Sequence, residues 1–363
     1  MLLRPVVSLL LVFSLAGEAQ QKGTGCLAAS RVKVSTAGRI KVVSEERQDV
    51  GYALTGGAGQ GQVKAMLRDG WCIIVVSEGD GSYSSELMVT LPRTIRLTRL
   101  DSRSGNISAR FLNGDVVAST NDGSIEMDEI GGDVNARTGG GEMTFGTVGG
   151  SLRGLSGGGT IRARRIGKEG VLESAGGELL VEEAGSWLRL STSGNIHVGK
   201  VAGSLFAYTA AGLIDVNQAG GMVTAETAGG SIQIGGARGV RCESAMGSIR
   251  LKNVSGGVRA ATAAGNVTVA LSAGRTLETS FLASGRGDVM VFVPSNLSVM
   301  VKALNETPGS AGKVISEFSE IQRLPSTVGR QAGPVAAQGS LNGGGPVLML
   351  SAAGGTISIK RQK

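Results

Sequence analysis

The sequence predicts an all-β chain wound as a parallel β-helix (β-solenoid), with about 18 residues and two strands in each coil. Three observations predict it. A motif of Gly, any residue, Ile/Val/Leu, any residue, Ala/Val/Ile recurs at nine-residue spacing between Gly105 and Gly265. Examples are Gly114-Asp-Val-Val-Ala, Gly159-Thr-Ile-Arg-Ala, Gly230-Ser-Ile-Gln-Ile and Gly265-Asn-Val-Thr-Val. Thr or Ser recurs at twice that spacing, at Thr120, Thr138, Ser156, Ser174, Thr192, Thr209, Thr227, Ser244 and Thr262. The alternate turns carry an apolar residue instead, at Leu112, Ile130, Val148, Ile166, Val201 and Val254. Two kinds of turn in alternation mean two corners per coil.

The chain opens on Arg4 and an apolar run from Pro5 to Ala16, then Gly17-Glu-Ala19. One positive charge, a short apolar stretch and small residues at a cleavage site describe a secretory signal peptide over 1–19. Residues 20–100 form an expected N-terminal β cap. Its strand-like runs, Arg39-Ile-Lys-Val-Val43, Trp71-Cys-Ile-Ile-Val-Val76 and Glu86-Leu-Met-Val-Thr-Leu91, keep no nine-residue register.

Residues 101–272 form the helix itself. Within each motif the second and fourth residues after Gly are apolar and those between are mostly polar, which is the period-two signature of a strand with one buried face. Ile107/Ala109, Ile125/Met127, Met143/Phe145, Ile196/Val198 and Val267/Val269 are such inward pairs. The glycines between strands are expected to supply turns through positive φ. The Thr/Ser hydroxyl is expected to bond the backbone of its own turn. At ~4.8 Å per coil, roughly nine coils make a rod about 40–45 Å long. Two one-residue slips, Leu188 to Ile196 and Ile232 to Val240, must come out of corners, because a slip within a strand would turn its apolar residues outward. Gly185–Asn195 and Gly235–Val240 are therefore the expected irregular corners. Residues 273–363 lose the register and are expected to cap the rod.

Composition narrows the function classes. The formal net charge is +7, spread along the chain and not interleaved with aromatics. Such mild basicity favours anionic surfaces; it offers no stacking platform for nucleic acid. After the signal segment no apolar stretch is long enough to span a bilayer. Cys26 and Cys72, both before the repeats, are the likelier disulfide pair, and Cys242 falls on an inward position. Cys26 also raises a lipoprotein reading, but no lipobox Leu precedes it. No cysteine spacing suggests zinc. Asp115, Asp122, Asp128 and Asp133 fall in neighbouring coils, but the repeat carries no regular Asp of the kind calcium rolls use. No metal or cofactor is expected.

The Thr/Ser-x-x-Gly-x-Ile/Val ladder resembles the bacterial DUF4097, or adhesin-domain, family. So does the tail Ser284-Gly-Arg-Gly-Asp-Val-Met-Val-Phe-Val-Pro-Ser-Asn-Leu-Ser-Val299, followed by Leu341-Asn-Gly-Gly-Gly-Pro-Val-Leu348. The resemblance spans roughly 85–360 and implies an exported, non-enzymatic β-helix of the periplasm or cell surface. It implies an adhesin-like or envelope-associated binding role, with polysaccharide or another envelope protein as partner. Two alternatives stand beside it: a β-helical carbohydrate-active enzyme, and an envelope-stress accessory protein that contacts a membrane sensor.

Candidate sites are few. His197 is the only histidine and lies on an outward position, as do Ser231 and Ser248. Glu126, Glu142, Glu178 and Asp215 share that face, and Glu126 and Glu142 are on adjacent coils, within the range a glycoside-cleaving pair needs. Arg162, Arg164, Arg165 and Lys168 form a basic cluster. On the other strand face stand Val117, Trp187, Phe206 and Met222, with Tyr208 at the next corner. Leu188 and Leu205 are equivalent, so Trp187 and Phe206 are expected to be close neighbours. These aromatics suit a sugar or protein partner, although the expectation from packing is that the C-terminal segment lies over them.

Overall fold

The computed structural model describes residues 21–56, 61–77, 84–273, 277–307, 313–324 and 334–362. The segment 1–19, expected from the sequence to be a signal peptide, lies outside them. Described strands form two long ladders of parallel strands that run rung on rung. In the first ladder Val116 pairs with Val134, Val134 with Leu152, and Leu188 with Leu205. In the second, Ile125 pairs with Met143, Met143 with Ile161, and Ile196 with Ile214. The chain alternates between the ladders, so each coil contributes one strand to each. The inward pairs expected from the period-two pattern are buried throughout, and the apolar corner residues Leu112, Ile130, Val148, Ile166, Val201 and Val254 are buried with them.

The Thr/Ser corner is the more regular of the two. Thr138 Oγ1 accepts the Gly141 N–H of its own turn at 3.1 Å and donates to the Gly123 carbonyl of the preceding coil at 2.8 Å. Thr209 repeats this with Gly212 and Gly194, and Thr262 with Gly265 and Gly247. One hydroxyl therefore closes its own turn and ties it to its neighbour, satisfying two buried backbone groups.

The corner glycines correct the sequence expectation. Positive φ among the described glycines occurs at Gly56, Gly70, Gly239, Gly256, Gly343 and Gly344, and none of these belongs to the Thr/Ser ladder. Ladder glycines are required by stacking instead. A Cβ on Gly141 would overlap the Gly123 carbonyl, and one on Gly159 the Gly141 carbonyl. Coils at strand spacing leave no room there for a side chain.

Both slips fall in the expected corners. Gly194 reaches Thr192 Oγ1 across two residues, where Gly212 reaches Thr209 Oγ1 across three. The second slip is a register shift between Arg238 and Val240 in the apolar corner.

The flanking strands extend both ladders, out of chain order. The coil of Arg31–Thr36 and Arg39–Glu45 lies between the coil of Trp71–Val76 and Glu86–Pro92 and the coil of Leu97–Ser102 and Ile107–Arg110. At the other end, the coil of Val347–Ala352 and Thr356–Arg361 lies between that of Ser280–Ser284 and Val289–Val293 and that of Val299–Asn305 and Lys313–Ser316. Antiparallel strands then finish the stack: Val63–Arg68 on Trp71–Val76, Val50–Thr55 on Glu86–Pro92, and Val335–Leu341 on Val299–Asn305. A change to antiparallel pairing with short strands blunts an edge that would otherwise template further coils. Cys26 and Cys72 are joined by a disulfide, with Cα atoms 5.5 Å apart, which ties the N-terminal segment to the Trp71–Val76 strand. Cys242 is fully buried, and burial pushes its thiol far above the ordinary cysteine range.

Candidate functional site

The first ladder exposes the aromatics. Trp187, Phe206, Tyr208 and Met222 are 40, 51, 53 and 48% exposed. This corrects the expectation that the C-terminal segment covers them. Val347–Ala352 stacks on Ser280–Ser284 as a further rung, where its backbone groups complete a ladder; a strand laid over the side of the sheet would leave them unpaired.

Register sets the arrangement. Phe206 stands opposite Arg189, and Tyr208 stands between Ser191 and Glu226. Leu188 pairs with Leu205, so Trp187, just before Leu188, and Phe206, just after Leu205, stand on adjacent rungs. The three aromatics line one open depression of about 490 Å³, completed by Arg189, Ser191, Thr224 and Glu226. Arg189 has no ion-pair partner among the described residues. The result is an aromatic floor with a guanidinium, a carboxylate and hydroxyls at its margins. Such a surface can stack on an apolar sugar face while bonding hydroxyls around it. Arg189 and Glu226 were not singled out from the sequence; their shared face follows from the register once Leu188 is set against Leu205.

The second ladder presents charged groups that neutralise one another. In the basic cluster, Arg162 lies 3.5 Å from Glu142, Arg164 3.5 Å from Asp128, and Arg165 3.8 Å from Glu183. Arg164 also donates to Thr147 Oγ1 at 3.0 Å. Lys168 has no ion pair among the described residues. Glu126 is held by Arg110, so both members of the Glu126/Glu142 pair face an arginine. Glu178 accepts from the Asn195 side chain at 2.9 Å.

His197 Nδ1 lies 3.7 Å from Asp215 Oδ2 on the next rung, which is too long for a hydrogen bond. Ser231 and Ser248 stand two and three rungs from His197, beyond reach at ~4.8 Å per rung. The coil acids have structural work. Asp115 Oδ1 accepts the Asp133 N–H at 2.8 Å, Asp133 Oδ1 the Ser151 N–H at 2.8 Å, and Asp128 Oδ1 the Thr147 N–H at 2.9 Å. Asp122 is exposed. Among the described residues no group of three or more His, Cys, Asp or Glu side chains could hold a metal ion. No described helix is long and apolar enough to cross a membrane.

No family model matches the chain, and no curated protein does. Among solved structures it is similar to a candidate cell adhesion protein of Clostridium sporogenes, at 10% identity and a TM-score of 0.19, over 94% of this chain and 99% of that one. It is also similar to a candidate adhesin of Bacteroides fragilis, at 15% identity and a TM-score of 0.24, over 75% of this chain and 97% of that one.

Proposed function

We propose that this protein is a non-enzymatic, exported β-solenoid that binds saccharide at the cell envelope, in the adhesin-like manner its resemblance to the DUF4097 family implies. The observation that carries the reading is the exposed cradle of Trp187, Phe206 and Tyr208, with Arg189 and Glu226 at its rim. Met222 widens the apolar surface beside it. The two ladders, extended by the flanking coils, act as the rigid support. A rigid ladder holds the rings in place before a ligand arrives, which lowers the ordering cost of binding. Arg162, Arg164, Arg165 and Lys168 offer a second, weaker contact for an anionic polymer, because exposed ion pairs are worth little and a polyanion can compete for the arginines.

The test is retardation of the protein in gels carrying neutral or acidic polysaccharides. Wild-type protein should be retarded by at least one of them, and Trp187→Ala together with Phe206→Ala should abolish this without shifting the thermal midpoint. Equal retardation of the variant removes the cradle from the reading. Release of oligosaccharides that stops with one carboxylate substitution, such as Glu226→Gln, would replace binding by catalysis.

A further inference from the structure

A polar notch lies outside the aromatic cradle, at the slipped apolar corner. Of the second ladder's two outward columns before the apolar corner, one is interrupted singly, at Gly146 and Gly199. At one rung two consecutive glycines interrupt both. Gly235 and Gly236 follow Ile234, which pairs with Val216 on one side and Leu251 on the other. Asn217 and Gln218 therefore stand on one side of the gap, and Lys252 and Asn253 on the other. The gap opens a notch of about 500 Å³ whose lining includes Asn217, Gln218, Arg238, Asn253, Ser255 and Ser272.

Three features mark it as more than an accident of stacking. Its lining contains a guanidinium and no carboxylate. Arg238 has no ion-pair partner among the described residues, unlike the arginines of the basic cluster. The two glycines also differ. A Cβ on Gly235 would sit 2.5 Å from the Asn217 carbonyl oxygen, so glycine is sterically required there. A Cβ on Gly236 would meet nothing closer than 3.9 Å, and Gly236 has no positive φ. The backbone at 236 accepts any residue, yet it carries none of the side chains that would fill the notch.

We propose that this notch binds the carboxylate-bearing sugar residue of an acidic saccharide. The volume exceeds what a bare anion needs. Asn217, Gln218 and Ser272 supply both donors and acceptors, as a polyhydroxylated ring requires, while Asn253 Nδ2 donates to the Gly235 carbonyl at 3.3 Å and Ser255 Oγ to the Ala237 carbonyl at 3.5 Å. Arg238 supplies the bidentate donor pair that fits a carboxylate.

Titration with D-glucuronate, D-glucose and inorganic phosphate, followed by calorimetry or protein NMR, tests the site. Glucuronate should bind, with glucose and phosphate at least about tenfold weaker. Gly236→Gln should fill the notch and Arg238→Gln should remove its charge, each weakening glucuronate by about tenfold or more at an unchanged thermal midpoint. The notch shares no lining residue with the aromatic cradle, so Trp187→Ala should leave glucuronate binding intact. Failure of glucuronate to bind, equal binding of glucose or phosphate, or indifference to Arg238→Gln overturns the proposal. Loss of binding in Trp187→Ala also overturns it, by moving the site to the other ladder.

Discussion

The two corners of each coil differ in how much variation they tolerate. The Thr/Ser corner is nearly invariant: a hydroxyl bridges its own turn to the coil before it, and a glycine sits where no Cβ fits. The apolar corner also stacks glycines too closely for a Cβ, as at Gly167 and Gly185, but it pairs them with a buried apolar side chain and no bridging hydroxyl. There the chain accommodates the register shift at Arg238/Val240, positive φ at Asn253, Gly239 and Gly256, and the open notch. A solenoid needs one corner that fixes rise and register. Once that exists, the other corner and the two outward faces are free to vary, and the departures from the repeat that suggest ligand chemistry lie there.

The largest expected effect breaks the strict corner. Gly141→Ala forces a methyl into the Gly123 carbonyl, while Gly140→Ala, one residue earlier, meets nothing within 4 Å. Gly141→Ala should cost about 3 kcal/mol or more and Gly140→Ala less than about 0.5 kcal/mol. Thermal unfolding followed by circular dichroism compares them; equal midpoints would mean that stacking does not require the ladder glycines. Next comes the hydroxyl. Thr138→Val strands the buried Gly141 N–H and removes the donor to Gly123, for an expected loss of about 1–3 kcal/mol. Thr138→Ser should recover most of it. At the opposite corner Ile166→Val removes only a methylene, for about 1 kcal/mol. If Ile166→Val proved the more damaging, the corners' roles would be reversed.

The strict corner was legible in the sequence because it repeats. Thr138-Gly-Gly-Gly141 and Ser156-Gly-Gly-Gly159 announce themselves by period, even though the glycines serve close stacking and not positive φ. The out-of-order rungs were harder to see. Thr36-Ala-Gly38-Arg-Ile40-Lys-Val42 carries the same local motif, and Gly38 N–H does bond Thr36 Oγ1 at 3.2 Å. Its partner coil begins at Leu97, so no fixed spacing connects the two. The aromatic cradle was half legible. Trp187, Phe206 and Tyr208 stand out in a chain with 3% aromatics, but their exposure depends on where the C-terminal strands stack, and no local pattern specifies that. Arg238 gave no signal, since an unpaired arginine is defined by what does not stand beside it in three dimensions.

A smaller effect asks how tightly the rod stays shut. Cys242 pairs with Ala225 and Ala260 inside the first ladder, buried and with its thiol held neutral. It should be inert to a thiol reagent in the folded protein and react fully once denaturant opens the rungs. Reaction at the native-state rate of an exposed thiol would show that the apolar-corner slip at Arg238/Val240 lets this part of the rod open locally.

The smallest effect separates the two glycines of the notch. Gly235→Ala brings its methyl to 2.5 Å from the Asn217 carbonyl oxygen, whereas Gly236→Ala finds 3.9 Å of clearance and an unstrained φ. Gly236→Ala should therefore leave the midpoint unchanged to within about 0.5 kcal/mol, or raise it slightly by restricting the unfolded chain. Gly235→Ala should cost about 1–3 kcal/mol. A substantial loss from Gly236→Ala would mean that position 236 is packed as strictly as position 235. Glycine at 236 would then be explained by stacking alone. If stability is unchanged, stacking does not account for the missing side chain at 236, as the proposed notch requires.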